Sequence, residues 1–259
     1  MYIFGSECSL TLVRAGELTA LPYSLETLRE EPEEARLDPL VGYVMPLEYV
    51  PSGKSGMQIL GCVVTRVSDE SAFPLAGVLD TGEIVPFSFY MNRVEEKRKY
   101  RNLALTGFEI RAELDEAVYI RLDVEGLEAE DWEYNTPDIA WVQKPTYRYL
   151  EGNLKIGDEV PGGIYRFSLT RKTGNCETTV LQLHYCLSET HVLNNLRNLD
   201  AVTLTFGDRI RFTCTNLNLL SFYAKTDNAE EILIFRRYRV DGNFVIEIRN
   251  DKGEWVSAA

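Results

Sequence analysis

The chain has 259 residues, of which 45% are hydrophobic, and it carries a net charge of −13 at pH 7. This length and apolar content suffice to bury one large core or two domains of roughly 130 residues each. The acidic charge argues against a protein that holds nucleic acid tightly by its phosphates, because such binding needs clustered Lys and Arg. The 14 Tyr and 11 Phe favour strands over helices.

The sequence predicts neither a membrane segment nor secretion. No apolar stretch approaches the roughly 18 residues that a bilayer-spanning helix needs. The first residues lack the basic and apolar regions of a signal peptide. The five cysteines are odd in number and form no Cys-x-x-Cys pair, so we expect free thiols in a reducing compartment.

The first half is predicted to form a β-domain over residues 1–130, opening with a hairpin over residues 8–23. Residues 24–40 are rich in Glu and contain Pro32 and Pro39, so we expect an exposed arm rather than a central strand or a long helix. Further strands are predicted over residues 41–49, 57–67, 75–79, 83–90, 103–113 and 117–124. The third and fourth of these are expected to form a hairpin through the turn Asp80-Thr81-Gly82.

Residues 127–138 are acidic and irregular and form the predicted boundary, and a second β-domain is expected over residues 137–259. A helix is predicted over residues 188–199, where Ser188 can cap it and apolar residues recur at helical spacing. Strands are predicted over residues 139–150, 164–170, 178–185, 202–206, 209–215, 219–224, 232–240 and 244–249. The whole indicates a mainly β fold of two β-sandwich or partly closed barrel domains, with one or two short helices.

A short repeat links the two halves. Ser88-Phe89-Tyr90 recurs as Ser221-Phe222-Tyr223, at an offset of 133 (221 − 88). Each copy leads into two alternating strands that are joined by a short acidic turn. This shared order predicts a tandem duplication, with a chance identity as the alternative.

No motif predicts catalysis, a cofactor or a metal. Gly53-Lys54-Ser55 lacks the glycine that a phosphate-binding loop needs five residues earlier, where Glu48 stands, so a turn is expected. His184, Cys186 and His191 lie close in sequence, but zinc needs further ligands at recognisable spacing. Carboxylate pairs are plentiful and select no glycosidase. With two histidines and no nucleophile motif, the chain is predicted not to be an enzyme.

Aromatic residues concentrate between the two predicted domains. Trp132, Trp141 and Tyr147 are candidates for a platform on which sugar rings stack. Packing at the domain junction is the alternative, because aromatic side chains dominate burial in cores and interfaces. The platform interpretation predicts a carbohydrate- or ligand-binding β-sandwich protein.

The order of elements over residues 6–126 resembles the tail tube protein family of long-tailed bacteriophages. A hairpin and an extended polar segment over residues 9–40 come first, and hydrophobic strands over residues 57–67 and 83–90 follow. The closing pair of strands has the alternating rhythm of the family over residues 106–126, TGFEIRAELDEAVYIRLDVEG. The second half resembles the family only through the internal repeat.

The resemblance implies a structural virion component without catalysis or cofactor: a tail tube, a tube-associated or a head–tail joining protein. Such proteins pack bent sheets into rings, usually of six domains, and the rings stack into a tube that conducts DNA or protein. A duplicated chain would form such a ring as a trimer, with a hexamer of chains as the alternative. Its partners would be copies of itself and other tail or assembly proteins, in the virion or the host cytoplasm. The arm would contact the adjacent subunit through Arg29, Glu31, Glu34 and Arg36.

Overall fold

The computed structural model describes residues 8–32, 57–79, 86–93, 96–131, 146–149, 152–161, 163–172, 178–186, 198–207, 209–227 and 231–257. It is mainly β, as predicted. The strands of the first half are β1 (Ser9–Arg14), β2 (Glu17–Leu21), β3 (Tyr23–Glu26), β4 (Arg29–Pro32), β5 (Met57–Arg66), β6 (Phe87–Asn92), β7 (Lys97–Glu113), β8 (Tyr119–Gly126) and β9 (Glu128–Asp131). Helix α1 (Asp69–Leu79) lies between β5 and β6.

The strands of the second half are β10 (Gly152–Ile156), β11 (Ile164–Lys172), β12 (Thr178–Cys186), β13 (Asn198–Phe206), β14 (Ile210–Asp227), β15 (Glu231–Val240), β16 (Phe244–Arg249) and β17 (Trp255–Ser257). No helix within the described ranges is long and apolar enough to cross a membrane. The four cysteines in these ranges, Cys8, Cys62, Cys186 and Cys214, are free thiols.

One large antiparallel sheet, which we call the main sheet, runs through both halves. Its order is β3 and β4 side by side against β5, then β8, β7, β11, β12, β15 and β14. Over the described residues this sheet is not closed into a barrel. The β7–β11 ladder joins the two halves, so the two predicted domains share one sheet.

One face of the main sheet is buried and the other is open. In β8, Ile120, Leu122 and Val124 are at most 2% exposed, whereas Arg121 between them is exposed. This alternation with a period of two predicted the strand, because successive side chains point to opposite faces. The buried face belongs to a core that extends through both halves.

Each half also contributes a smaller sheet to the sandwich-like architecture. The first small sheet has the order β2, β1, β6, β7, β9, and the second has the order β10, β13, β14, β16, β17. The long strands β7 and β14 therefore each belong to a small sheet and to the main sheet. Near this transition, Asn102 (φ 49°) and Asn216 (φ 51°) adopt the left-handed conformation. Asn tolerates that conformation better than most residues because its short polar side chain can hydrogen-bond locally.

The prediction of a strand over residues 75–79 is wrong, because these residues belong to α1. Ser68 and Ser71 exchange hydrogen bonds at the helix start: each backbone N–H donates to the hydroxyl of the other, at 2.9 and 3.3 Å. Such reciprocal capping satisfies N–H groups that a helix start leaves unpaired. The helix lies against β2, β7, β14 and β16, where its residues Leu75 and Leu79 are fully buried.

The described part of the predicted exposed arm, residues 24–32 of residues 24–40, is largely exposed but is paired into the main sheet. These residues lie in β3 and β4 and in the connection between them, which pair with β5 at the end of the main sheet. Leu28 between the two strands is 3% exposed. The segment is not a central strand, as predicted, but its acidic residues find partners that let it form an edge. Residues 33–40 lie outside the described ranges.

The predicted boundary and the predicted helix are only partly within the described residues. Residues 128–131 of the boundary form β9, which pairs with the start of β7, and residues 132–138 lie outside the description. Residues 188–197 of the predicted helix also lie outside it. Asn198 and Leu199, its last two residues, begin β13 and are therefore in a strand.

The predicted repeat of Ser-Phe-Tyr does not align equivalent positions. Phe89 is fully buried in β6, whereas Phe222 in β14 is 52% exposed. The strands that follow the first copy, β7 and β8, pair with each other. Those that follow the second copy, β15 and β16, both pair with β14.

The two halves nonetheless share an order of strand pairing, at a different offset from that of Ser-Phe-Tyr. The order β3–β4, β5, β8, β7 in the first half corresponds to β11, β12, β15, β14 in the second. The β7–β8 ladder is interrupted by a bulge between Leu105 and Gly107, and the β14–β15 ladder by one between Leu219 and Ser221. The offset between the two bulges is 114 (219 − 105). The left-handed Asn102 and Asn216 have the same offset (216 − 102). β7 and β14 thus share these two irregularities at the same spacing.

Candidate assembly edges

The β7–β11 ladder, which we call the internal joint, holds the two halves together. Its register runs from Glu113 opposite Arg166 to Gly107 opposite Lys172. A Cβ atom on Gly107 would lie 3.1 Å from the backbone oxygen of Arg171. The backbones therefore approach closely, and glycine suits this end of the joint.

The second half of the chain covers the buried face of β7. Phe108, Ile110 and Ala112 are at most 1% exposed. The Phe108 ring packs against Phe244 at the start of β16, with ring centroids 5.7 Å apart. The Arg171 guanidinium lies 5.4 Å from the centroid of the same Phe244 ring. The apolar face of β7 is thus buried by contacts across the joint.

In β14 the matching positions are uncovered. Phe222, which matches Phe108 at the offset of the bulges (222 − 108), is 52% exposed, compared with 1% for Phe108. Leu220 and Tyr223 are 50% and 58% exposed. Among the described strands, residues 221–227 pair only with β15. An open strand edge with exposed apolar side chains is a surface on which another strand can pair.

A row of aromatic rings crosses the open face of the main sheet and ends at this edge. Tyr223 stacks on Phe235 with centroids 4.4 Å apart and ring planes 7° apart. Phe235 contacts the His184 ring at 4.6 Å, and His184 contacts Tyr165 at 6.0 Å. Burial lowers the pKa of His184, and the nearby Arg166 charge acts in the same direction. In the described ranges His184 thus belongs to a packed ring row, and no three His, Cys, Asp or Glu residues form a metal-binding group there.

β3 and β4 form the opposite end of the main sheet and occupy the place that β11 takes in the second half. The β3–β5 ladder has a bulge between Tyr23 and Leu25, and the β11–β12 ladder has one between Ile164 and Arg166. The offset between these bulges is 141 (164 − 23 and 166 − 25). Among the described strands, β3 and β4 pair only with β5, so the edge that they leave open there corresponds to the edge that β11 uses in the internal joint.

Ion pairs fix the β3–β4 edge to the first small sheet. The Glu26 side chain, 7% exposed, accepts hydrogen bonds from Arg93 at 2.6 Å and from the backbone N–H of Leu28 at 2.6 Å. Glu30 pairs with Arg98 of β7. Burial opposes the charge on Arg93, but its hydrogen bonds to Glu26 and Glu96 outweigh this and raise its pKa. The edge is therefore held in its extended shape within a single chain.

Two of the four residues predicted to make assembly contacts lie on this edge. Arg29 is exposed in β4, opposite Leu60 of β5. Glu31 follows in the same strand, with its backbone opposite Gln58. Glu34 and Arg36 lie outside the described ranges.

The predicted aromatic platform is not an exposed surface at its one described residue. Tyr147 is 6% exposed, and its backbone bridges Val67 and Val118 through hydrogen bonds of 2.8 Å. Its ring packs against Gly207, where a Cβ atom would lie 2.3 Å from a ring carbon. Tyr147 is therefore a core residue between the two halves, which agrees with the packing alternative. Trp132 and Trp141 lie outside the described ranges.

The prediction from sequence missed the β14 edge, although a signal for it is present. The pattern Asn-Leu-x-Leu-x-x-Phe occurs at Asn102 to Phe108 and again at Asn216 to Phe222. In this pattern the matching residues are spaced along the strand, whereas in Ser-Phe-Tyr they are adjacent. A scan against protein-family models and a search of curated proteins gave no match.

Proposed function

We propose that the protein is a structural, self-assembling component whose copies join edge to edge into a closed ring. The observation that carries the proposal is that both sides of the internal joint recur at the two ends of the main sheet. β14 matches β7, and β3–β4 matches β11. Joining these two ends would repeat between chains the contact that already exists within one chain.

The proposal includes a tandem duplication of one β-domain. Matching bulges in two pairs of ladders support it, because a bulge is one inserted residue at one position and is kept as a local feature of a strand. The left-handed asparagines of β7 and β14 support it independently. The offset along these strands is 114 (216 − 102), which differs from the offset of the Ser-Phe-Tyr identity.

The two edges differ from each other, so the contact between chains would be head-to-tail. A head-to-tail contact forms a ring when its rotation closes, and an open filament when it does not. In the tail tube family, which the first half resembles, rings usually hold six domains. Three chains of two domains each would supply them, and stacked rings would form a tube in the virion or, during assembly, in the host cytoplasm.

The exposed side chains of β14 also favour assembly. A monomer leaves Leu220, Phe222 and Tyr223 half exposed beside an open strand edge. Monomeric proteins usually protect such edges, because they promote aggregation. The net charge of −13 keeps the chain soluble until its edges are paired.

Light scattering coupled to size-exclusion chromatography, with electron microscopy of the peak fraction, tests the proposal. We expect a species of about three times the 29.5 kDa chain mass and ring-shaped particles. Ala224→Glu should shift the protein to monomer, since Ala224 matches the fully buried Ile110 of the internal joint. Val160→Glu, at an exposed apolar residue outside both edges, is the matched control and should leave the rings intact. A wild-type protein that stays monomeric at every concentration would refute the proposal.

A further inference from the structure

We infer the register in which two copies pair: β14 of one copy runs antiparallel to β3–β4 of the next, with Tyr223 opposite Arg29 and Phe222 opposite Glu30. The inference rests on the proposed self-assembly. Beyond self-assembly, the register specifies which residues of the two copies lie opposite each other.

The internal joint supplies the register. Within it, Thr170 lies opposite Glu109, and Arg171 lies opposite Phe108. The bulges that match β11 with β3–β4 place Arg29 where Thr170 stands, since the offset of 141 applies to this pair as well (170 − 29). The bulges that match β7 with β14 place Tyr223 where Glu109 stands.

Burial agrees with this correspondence. Leu28 takes the place of Leu169 at the same offset (169 − 28), and the two are 3% and 0% exposed, respectively. Leu28 would lie opposite Ala224, as Leu169 lies opposite the buried Ile110 in the internal joint. Both pairs belong to the core-facing side of the main sheet.

The side chains on the open face are also compatible. Arg29 and Tyr223 are both exposed and would be direct neighbours across the new ladder. An Arg beside a Tyr ring gains a cation–π contact. Thr27 would lie opposite Lys225, so the central pairs set no like charges against each other.

A slip of one residue would reverse these relations. Because side chains alternate with a period of two, it would pair positions of the core-facing side with positions of the open face. Phe222 would lie opposite Arg29 or Glu31 instead of the core-facing Glu30. The slipped pairing would leave the apolar side chain of Phe222 without the cover that Phe108 has.

Disulfide trapping between variants that each carry one added cysteine tests the register. Arg29→Cys and Tyr223→Cys are prepared as separate proteins, mixed, oxidised mildly and run on a non-reducing gel beside wild type treated in the same way. The mixture should give a covalent dimer that neither variant gives alone, because each edge pairs only with the other. Leu25→Cys, close to Arg29 on the same exposed edge, is the matched control and should not be trapped with Tyr223→Cys.

The double variant Arg29→Cys/Tyr223→Cys extends the test to ring size. Its covalent ladder should end at the number of chains in one ring. Electron microscopy could show rings while Leu25→Cys, rather than Arg29→Cys, is trapped with Tyr223→Cys. This result would overturn the register and leave the proposed function standing. A dimer of Tyr223→Cys alone would indicate a symmetric contact and overturn the register as well. A protein that is monomeric throughout would overturn both proposals.

Discussion

Replacing Phe222 with Ala should weaken assembly, and it should destabilise the folded monomer less than the same change at Phe108. Phe222 projects from the core-facing side of β14, but the chain leaves it 52% exposed. Its match in the internal joint, Phe108, is 1% exposed. The same residue type thus occupies matching positions, one covered within the chain and one that the proposed assembly would cover.

The size of the effect follows from the area that assembly would bury. A Phe side chain buries about 150–250 Å² in a core, so covering the exposed half of Phe222 removes about 100 Å² from water. At about 25 cal/mol per Å² this is worth about 2.5 kcal/mol at each contact between chains. Truncation to Ala should remove about 2 kcal/mol of it, which raises the dissociation constant roughly 30-fold.

Sedimentation velocity over a concentration series measures the dissociation constant, and urea unfolding under monomeric conditions measures the stability of the chain. Phe222→Ala should change the first, and it should lower the second by at most about 2 kcal/mol, because about half of the ring is already covered in the monomer, where the Arg236 guanidinium lies 5.4 Å from its centroid. Phe108→Ala is the matched variant and should lower the free energy of unfolding by about 3–5 kcal/mol. If Phe222→Ala assembles with the same concentration dependence as wild type, then a second copy does not cover Phe222.

Three further outcomes follow from local structure. Asn216→Val should lower the free energy of unfolding by about 1–2 kcal/mol, because a β-branched residue resists the left-handed φ of 51°. Asn216→Gly should not lower it, and urea unfolding of both variants measures the difference. Burial raises the pKa of Cys214 to about 12. Mass spectrometry should therefore find Cys214 unlabelled by iodoacetamide at pH 8 until the protein unfolds. Rapid labelling of Cys214 in the native state would contradict this prediction. The lowered pKa of His184 means that the unfolded chain, with a value of 6.5, binds a proton more readily than the folded one. Stability should therefore fall as pH drops below 6.5, and His184→Gln should lose less stability between pH 7.5 and 5.5 than wild type does.

Most strands could be predicted from the alternation of polar and apolar residues. The prediction of a strand over residues 178–185 corresponds to β12 (Thr178–Cys186), and that over residues 244–249 corresponds to β16. Both strands bury one face and leave the other at least partly exposed, so their pattern is strong. The prediction of a strand over residues 75–79 was wrong because a short apolar run fits a strand or a buried helix equally well.

The β3–β4 edge could not be predicted from its own residues. Its Glu-rich sequence is typical of an exposed segment, and nothing within it indicates pairing. Arg93 and Arg98, which hold Glu26 and Glu30, are far from them in sequence, at separations of 67 and 68. A charge that is unfavourable in an isolated strand becomes acceptable once a distant partner neutralises it.

The proposed duplication shows the limit of the sequence in a different way. Its signal was present in the Asn-Leu-x-Leu-x-x-Phe pattern, but identity at a few spaced positions does not show which strands pair. The bulges of the ladders supplied the offset, since a bulge marks one position in two strands at once.

Composition and the alternation of neighbouring residues are enough to specify a mainly β, acidic protein whose strands have two different faces. The pairing of strands is visible in the three-dimensional structure alone. There β7 pairs with β11, and β14, with Phe222 uncovered, and β3–β4 lie at the two ends of the main sheet among the described strands. Strand pairing decides these features, and the backbone groups of one strand can pair with those of almost any other, so the choice is made by contacts between residues far apart in the chain.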